Sequence, residues 1–174
     1  MNVAFYIAAG VAIISTALVI SRRNAIHALL YLIVSLLSVA VVFFLLGAPF
    51  IAALEVIIYA GAIMVLFIFV VMMLNLGRAA VERERAWLSL RMWIGPSILA
   101  SIMLVEMIVI FHRGMPLTTG GGQVEPKEVG LALFGPYAIA VELASLLLLS
   151  AMVGAYHLGR RERNRFDGHG RDSA

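Results

Sequence analysis

Five long apolar stretches constrain the fold of this 174-residue chain more than any other feature of its sequence. A helix of about 20 apolar residues crosses the ~30 Å hydrocarbon core of a bilayer, and each stretch is close to that length or longer. The sequence therefore predicts an all-α integral membrane protein with five transmembrane helices. The predicted spans are residues 3–20, 25–46, 51–74, 92–111 and 134–157.

The composition agrees with this class and excludes several kinds of chemistry. Hydrophobic residues make up 63% of the chain and charged residues only 13%. A soluble domain of this size could not bury so much apolar surface in one core. Cysteine is absent from the sequence, which excludes disulfides, thiolate zinc sites and cysteine ligation of iron–sulfur clusters. The chain therefore has no thiol redox chemistry.

The basic residues predict the orientation of the helices. Eleven of the 13 lysines and arginines fall on one predicted side of the membrane, and only Arg113 and Lys127 fall on the other. Because basic loops are retained in the cytoplasm, we expect a periplasmic N-terminus and a cytoplasmic C-terminus. The predicted organisation is one five-helix domain over residues 1–158 and a basic cytoplasmic tail over residues 159–174. The net charge of +3 thus indicates topology and contact with membrane lipid, not with nucleic acid.

Two longer connections separate the last three spans. Residues 79–90 interleave acidic and basic side chains with Trp87, a pattern that favours a short surface helix at the membrane boundary. Residues 115–130 contain three consecutive glycines and two prolines, and no signal of a phosphate-binding helix follows the glycines. We expect this second connection to be a flexible outer loop.

The third span combines an acid with a point at which the helix is easily deformed. Glu55 lies near its start, and a carboxylate at membrane depth costs at least ~2.5 kcal/mol on the mildest insertion scales. Gly61 follows among β-branched residues, which weakens the helix locally. Glu55 and Tyr59 are four residues apart and share a helix face. They could pass a proton through water between helices, or they could form only an interhelical hydrogen bond.

Two further acids lie within predicted spans. Glu142 lies about two turns inside the fifth span, on a face with small Ala138 and Ser145, and is expected to face a partner helix. It has either a proton-path role or a role in helix contact. Glu106 lies within two turns of His112, so we expect it to reach the membrane interface. No lysine or arginine lies within a predicted span, so the chain lacks the buried lysine–glutamate pair of a self-sufficient pump or antiporter.

Four segments resemble the subunit J family of bacterial NADH-quinone oxidoreductase, respiratory complex I, the counterpart of mitochondrial complex I subunit six. The resemblance extends over about residues 4–161, in the same order and with the same five helices. The segment containing the third span is the most specific of the four. The segments are NAIHALLYLIVSLL (24–37), ALEVIIYAGAIMVLFIFVVMMLNLG (53–77), WIGP (93–96) and LFGPYAIAVELASLLLL (133–149).

The resemblance implies a non-catalytic subunit in the membrane arm of a proton-translocating enzyme of the bacterial inner membrane. Its expected partners are other complex I subunits, especially A, H and K. It further implies that this chain binds no cofactor itself, whereas the whole complex uses FMN, iron–sulfur clusters, NADH and a quinone. Two alternatives remain open. The chain could be a purely structural or assembly subunit, or a subunit of a multi-chain cation/proton antiporter.

The resemblance also implies roles for individual residues. The family's third helix contains a π-bulge near the position of Gly61, and its rotation is proposed to open or close a hydrated path. A π-bulge is a common defect at functional sites and agrees with the weak point described above. Glu55 and Glu142 match acidic positions of the family, whereas Glu106 does not. The gate residues implied for this chain are Tyr59, Gly61, Ala62 and Val65, with Phe67 in an apolar plug.

Overall fold

The structure, a computed structural model, describes residues 3–22, 25–74, 90–113 and 122–159. Most of the predicted surface helix at 79–90 and nearly all of the predicted tail lie outside these ranges. All of the regular structure in the described ranges is helical. The elements are α1 (Val3–Ser21), α2 (Ala25–Leu45), α3 (Pro49–Leu54), a π segment (Glu55–Ile63), α4 (Met64–Leu74), α5 (Leu90–Arg113), α6 (Pro126–Phe134) and α7 (Ala138–Gly159).

Five of the described helices are long and apolar enough to cross a membrane. Four of them are α1, α2, α7 and the part of α5 from Trp93 to His112. The remaining one is continuous from Pro49 to Met73 and combines α3, the π segment and most of α4. The prediction of an all-α membrane protein with five spans is confirmed.

A tight turn joins α2 to α3 and sets where the third span begins. Gly47 has a φ of 84°, a left-handed conformation that glycine adopts without steric cost. The N–H of Ala48 donates to the carbonyl of Phe43 at 3.0 Å, which closes the end of α2. Pro49 then starts α3, where a missing backbone N–H has no consequence. The third helix therefore begins two residues before the predicted position.

The last predicted span and the loop before it differ from the structure. The predicted outer loop 115–130 is wrong for its last five residues, because α6 begins at Pro126. Glu128 lies in the first turn of α6, where a negative charge stabilises a helix N-terminus. A turn at residues 135–137 then separates the two helices, and Pro136 cannot donate to a helical ladder. As a result α7 begins at Ala138 rather than at residue 134.

The chain forms two compact units, residues 1–126 and residues 127–174. Within the first unit α2 is central, because it contacts α1, α3, the π segment, α4 and α5. The core of this unit is aliphatic and comes from α1, α2 and α5. Its buried residues are Ala8, Val11, Val34, Val41, Leu45, Met103 and Ile110.

Polar and close contacts add to this packing in the first unit. The hydroxyl groups of Thr16 in α1 and Ser35 in α2 form a hydrogen bond of 2.7 Å. Where α5 meets α2, Gly95 lies directly against Tyr31, and a β-carbon at this glycine would overlap the phenol oxygen. The guanidinium carbon of Arg22 lies 5.3 Å from the centroid of the same ring. Tyr31 is thus enclosed by groups from α5 and from the residue that follows α1.

Candidate functional site

The π segment is the irregular part of the third span. At its start the N–H of Glu55 bonds to the carbonyls of Ala52 and Ile51, three and four residues earlier. At its end the N–H of Met64 bonds to the carbonyls of Gly61 and Tyr59, three and five residues earlier. The segment of nine residues between Leu54 and Met64 therefore contains the wider turn of a π-helix. Such turns are rare and are found frequently at functional sites.

Gly61 lies where this wider turn leaves little space. A β-carbon at this position would be 3.1 Å from the carbonyl oxygen of Val56, closer than an ordinary van der Waals contact. Val56 precedes Gly61 by five residues, so the crowding occurs across the π turn itself. Glycine avoids it because it has no β-carbon. A larger side chain would have to displace backbone atoms of the same helix.

All of the predicted proton-path and gate residues except Glu142 lie along the third span, whose sides are largely uncovered in this chain. Glu55 is half-buried, whereas Tyr59 is 51% exposed. None of the nine residues of the π segment, all of which the structure describes, is buried. Val65 and Phe67 in α4 are also exposed. A carboxyl and a phenol in this position can exchange protons only through water or through groups that lie outside this helix.

Met64 fixes the C-terminal end of the π segment to the rest of the first unit. It is the first residue of α4 and is only 2% exposed. Ala62 and Val65 on either side of it are exposed. Met64 therefore anchors the third span immediately after the π segment, whereas the side chains of Ala62 and Val65 are exposed.

An apolar cavity of about 520 Å³ lies beside the N-terminal half of the π segment. Val56 lines it together with Pro49, Ala52 and Ala53 of α3, and α2 and α5 provide the remaining walls. Because α2 and α5 border this space, Val56 of the π segment has unfilled volume on the side that faces these two helices. This part of the helix is less constrained by packing than a filled core would be.

Glu142 lies in the other compact unit, on α7. Because α7 begins at Ala138, this acid is about one turn inside the helix, not two as predicted. Its side chain is exposed, and the hydroxyl group of Ser145 donates to its backbone carbonyl at 2.7 Å. The predicted face shared by Ala138, Glu142 and Ser145 is present on the helix.

Glu106 is buried in the first unit, a position that the sequence did not predict. Its side chain is 7% exposed, and neither carboxyl oxygen has a hydrogen-bond partner among the residues that the structure describes. The helix pattern does not show this burial, because apolar residues surround Glu106 on every side of α5. Met103 and Ile110 lie three residues before it and four residues after it, so all three residues share one helix face. Both neighbours are buried.

The described residues contain no cluster of three or more histidine, aspartate or glutamate side chains that could hold a metal ion. The acids within the membrane spans are instead separated along the helices, at Glu55, Glu106 and Glu142. Such an arrangement offers isolated sites for protons or hydrogen bonds rather than a coordination sphere.

Comparison with known proteins gives a consistent set of relatives. Residues 15–158 match the family of NADH-ubiquinone/plastoquinone oxidoreductase chain 6. The chain is 59% identical over 164 residues to NADH-quinone oxidoreductase subunit J of Pseudomonas aeruginosa, covering 93% of this chain and 98% of that protein. It is 55% identical over 163 residues to subunit J of Escherichia coli strain K12, covering 94% of this chain and 89% of that protein. Subunit J of Buchnera aphidicola subsp. Schizaphis graminum is 48% identical over 163 residues, covering 94% of this chain and all of that protein.

Proposed function

Since the chain belongs to the family of NADH-ubiquinone/plastoquinone oxidoreductase chain 6, we propose that it is a membrane-arm subunit of a proton-translocating NADH:quinone oxidoreductase. The chain is a multi-pass protein of the bacterial inner membrane. In the proposal its N-terminus is periplasmic and its C-terminus cytoplasmic, and it binds no redox centre. Its proposed neighbours are subunits A, H and K of the complex, which as a whole uses FMN, iron–sulfur clusters, NADH and a quinone.

The proposed role is to couple quinone reduction to proton pumping through a gated, hydrated path beside the third span. Glu55 and Tyr59 exchange protons with water in this path, and Glu142 is a further acid of the route. Gly61 allows the helix to change its turn, and with it the positions of the side chains that follow. The side chains of Ala62, Val65 and Phe67 form the apolar part of the gate.

The mechanism is indirect, because the chemistry of quinone reduction takes place elsewhere in the complex. A change of charge in a neighbouring subunit favours one of two packings of the third span. The two packings differ in the hydration of the π segment and therefore in proton conductance. The apolar cavity beside Val56 supports this proposal, because it provides space for side chains that move.

The observation on which the proposal depends most is the π segment with Gly61 at its crowded turn. The 3.1 Å distance from a β-carbon at Gly61 to the Val56 carbonyl oxygen means that a larger residue disfavours this turn. A variant at this position therefore changes the gate without removing an acid or a phenol. It separates a gating role from a direct role of Glu55 or Tyr59 in proton exchange.

The test is the Gly61→Val variant, with proton uptake and NADH oxidation measured together in inverted membrane vesicles. We expect fewer protons moved per NADH oxidised, with NADH oxidation and the content of complex on a native gel unchanged. Gly10→Val is the matched control, because a β-carbon at Gly10 meets no atom within 4 Å. Parallel loss of complex content and both activities in Gly61→Val would instead support the structural or assembly role.

A further inference from the structure

A short segment without regular secondary structure, residues 122–125, leads into α6, and we call it the strap. Pro126 begins α6 and disfavours a helical conformation at Glu125, the residue before it. The strap and the α2–α3 turn lie on the same side of the membrane, because two spans separate them along the chain. The backbone N–H groups of the strap are therefore available to that turn.

The strap is bonded to the α2–α3 turn at Gly47. The N–H of Val124 donates to the carbonyl oxygen of Gly47 at 2.9 Å, although the two residues are far apart in the sequence. In the described ranges, every other backbone hydrogen bond of the turns, loops and helix ends joins residues at most five positions apart. Gly47 is buried and follows α2, and the last carbonyls of a helix have no partner within it. The strap thus supplies a donor to a buried carbonyl that would be costly to leave unpaired.

This hydrogen bond lies at the start of the third span, because Pro49 begins α3 two residues after Gly47. The turn is also bonded to the helix before it. The N–H groups of Gly47 and Ala48 donate to carbonyls near the end of α2 at 3.1 and 3.0 Å. The start of the third span is therefore held from two directions, by α2 and by the strap.

The π segment lies between this start and Met64, and its two ends are held in different ways. Backbone hydrogen bonds fix the start, whereas Met64 is held by the packing of a flexible side chain that can adapt to new neighbours. When a residue enters or leaves a helical turn, one part of the helix rotates against the other by about 100°. The part that is held less firmly rotates. A firm start therefore directs the rotation to α4, which contains Val65 and Phe67.

We propose that the strap is a positioning element of the gate, which through the Val124–Gly47 hydrogen bond keeps α3 from rotating when the π segment changes its turn. Val124 and Gly47 take no part in proton exchange and act only through the backbone of the third span. Loss of the hydrogen bond lets α3 take up part of the rotation, so the gate residues move less. The proposal rests on the gating role proposed above and adds to it a part of the chain outside the third span.

Val124→Pro tests whether the strap holds the turn, because proline has no N–H to donate. Gln123→Pro is the matched control, since it places the same residue one position earlier, where the N–H makes no hydrogen bond within the described ranges. The measurement is hydrogen–deuterium exchange of the α2–α3 turn and of α3 in the intact complex, followed by mass spectrometry. We expect about fivefold faster exchange in Val124→Pro alone, the effect of losing one hydrogen bond of ordinary strength. Equal exchange in the two variants would overturn the proposal.

The number of protons moved per NADH oxidised, measured in inverted membrane vesicles, tests whether the strap acts on the gate. We expect a lower ratio in Val124→Pro than in Gln123→Pro, with NADH oxidation and the content of complex equal in the two variants. When Val124→Pro is combined with Gly61→Val, the ratio should fall no further than in the more affected single variant, because both changes act on one helix. Additive losses, or a loss of complex content in Val124→Pro, would overturn the proposal.

The outcomes separate this proposal from the gating role itself. A normal ratio in Val124→Pro beside a lower ratio in Gly61→Val would overturn the role of the strap and leave the gating role in place. Normal ratios in both variants would overturn the gating role, and with it the part of the strap in gating.

Discussion

The α1–α2 pair and the π segment belong to the same compact unit, but they differ in how many of their residues are buried. In the α1–α2 pair Ala8, Ser15 and Ser38 are completely buried, and a hydrogen bond of 2.7 Å joins Thr16 to Ser35 across the two helices. The π segment has no buried residue, although α2 contacts it. The first region buries part of its surface within this chain, whereas the second buries none of its residues.

This difference indicates which part of the unit can change its conformation. In lipid the association of helices depends on close packing and interhelical hydrogen bonds, since acyl chains are as apolar as the side chains they contact. The α1–α2 pair has both kinds of contact within one chain. The π segment contacts α2 but buries none of its residues, so more of its surface is left to lipid or to neighbouring chains. Elements with few buried contacts are also those that open most readily, which suits a gate attached to a rigid pair of helices.

The largest effect is expected at the junction between the two regions. Met64 is 2% exposed and directly follows the π segment. Met64→Ala therefore removes buried contacts and should destabilise the unit by about 2–5 kcal/mol. Met72→Ala in the same helix is the control, because that side chain is 55% exposed. The measurement is the midpoint temperature of inactivation of the complex in native membranes. Equal midpoints for the two variants would mean that Met64 does not fix the third span.

The sequence predicts the regular part of this fold well. The five apolar stretches predict the five spans, because the length needed to cross a bilayer is a strong constraint on helices. The family, identified from four segments, is also confirmed. Helix ends are less certain, as the later start of α7 after the turn at Pro136 illustrates. A hydrophobic pattern continues through such a turn, so it does not show where the helical hydrogen bonds begin.

The sequence predicts only part of the candidate site. Gly61 and its β-branched neighbours indicate where the third span is weak, but not which carbonyl a β-carbon would approach. The roles of Glu55, Tyr59 and Glu142 stay predictions, because proton transfer depends on water and on other subunits. The burial of Glu106 is not visible in the sequence, because its neighbours on every side of α5 are apolar. Burial depends on the elements packed around a residue, which a single helix pattern does not contain.

A smaller effect is expected where α5 meets α2. A β-carbon in Gly95→Ala overlaps the phenol oxygen of Tyr31 and lies 3.2 Å from its ring carbon Cζ. Tyr31 is 3% exposed, so its ring has little room to move, and overpacking of this kind costs about 1–3 kcal/mol. Gly10→Ala is the matched control, with no atom within 4 Å of the new carbon. We expect a lower midpoint temperature of inactivation for Gly95→Ala alone. A midpoint equal to that of Gly10→Ala would mean that α2 and α5 separate at little cost.

The smallest effect is expected from the hydrogen bond between α1 and α2. Thr16→Val keeps the shape of the side chain and removes the hydroxyl group that bonds to Ser35, while Ser35 retains the Ala12 carbonyl at 3.3 Å. Interhelical hydrogen bonds in membranes contribute on average about 0.6 kcal/mol, so the midpoint should fall only slightly. Ser21→Ala is the control, because its hydroxyl group bonds to the Ala17 carbonyl within α1. A fall in midpoint as large as that of Met64→Ala would show that the α1–α2 pair depends on this hydrogen bond rather than on its packing. The α1–α2 pair and the π segment would then differ in their polar contacts, not in how closely they are packed.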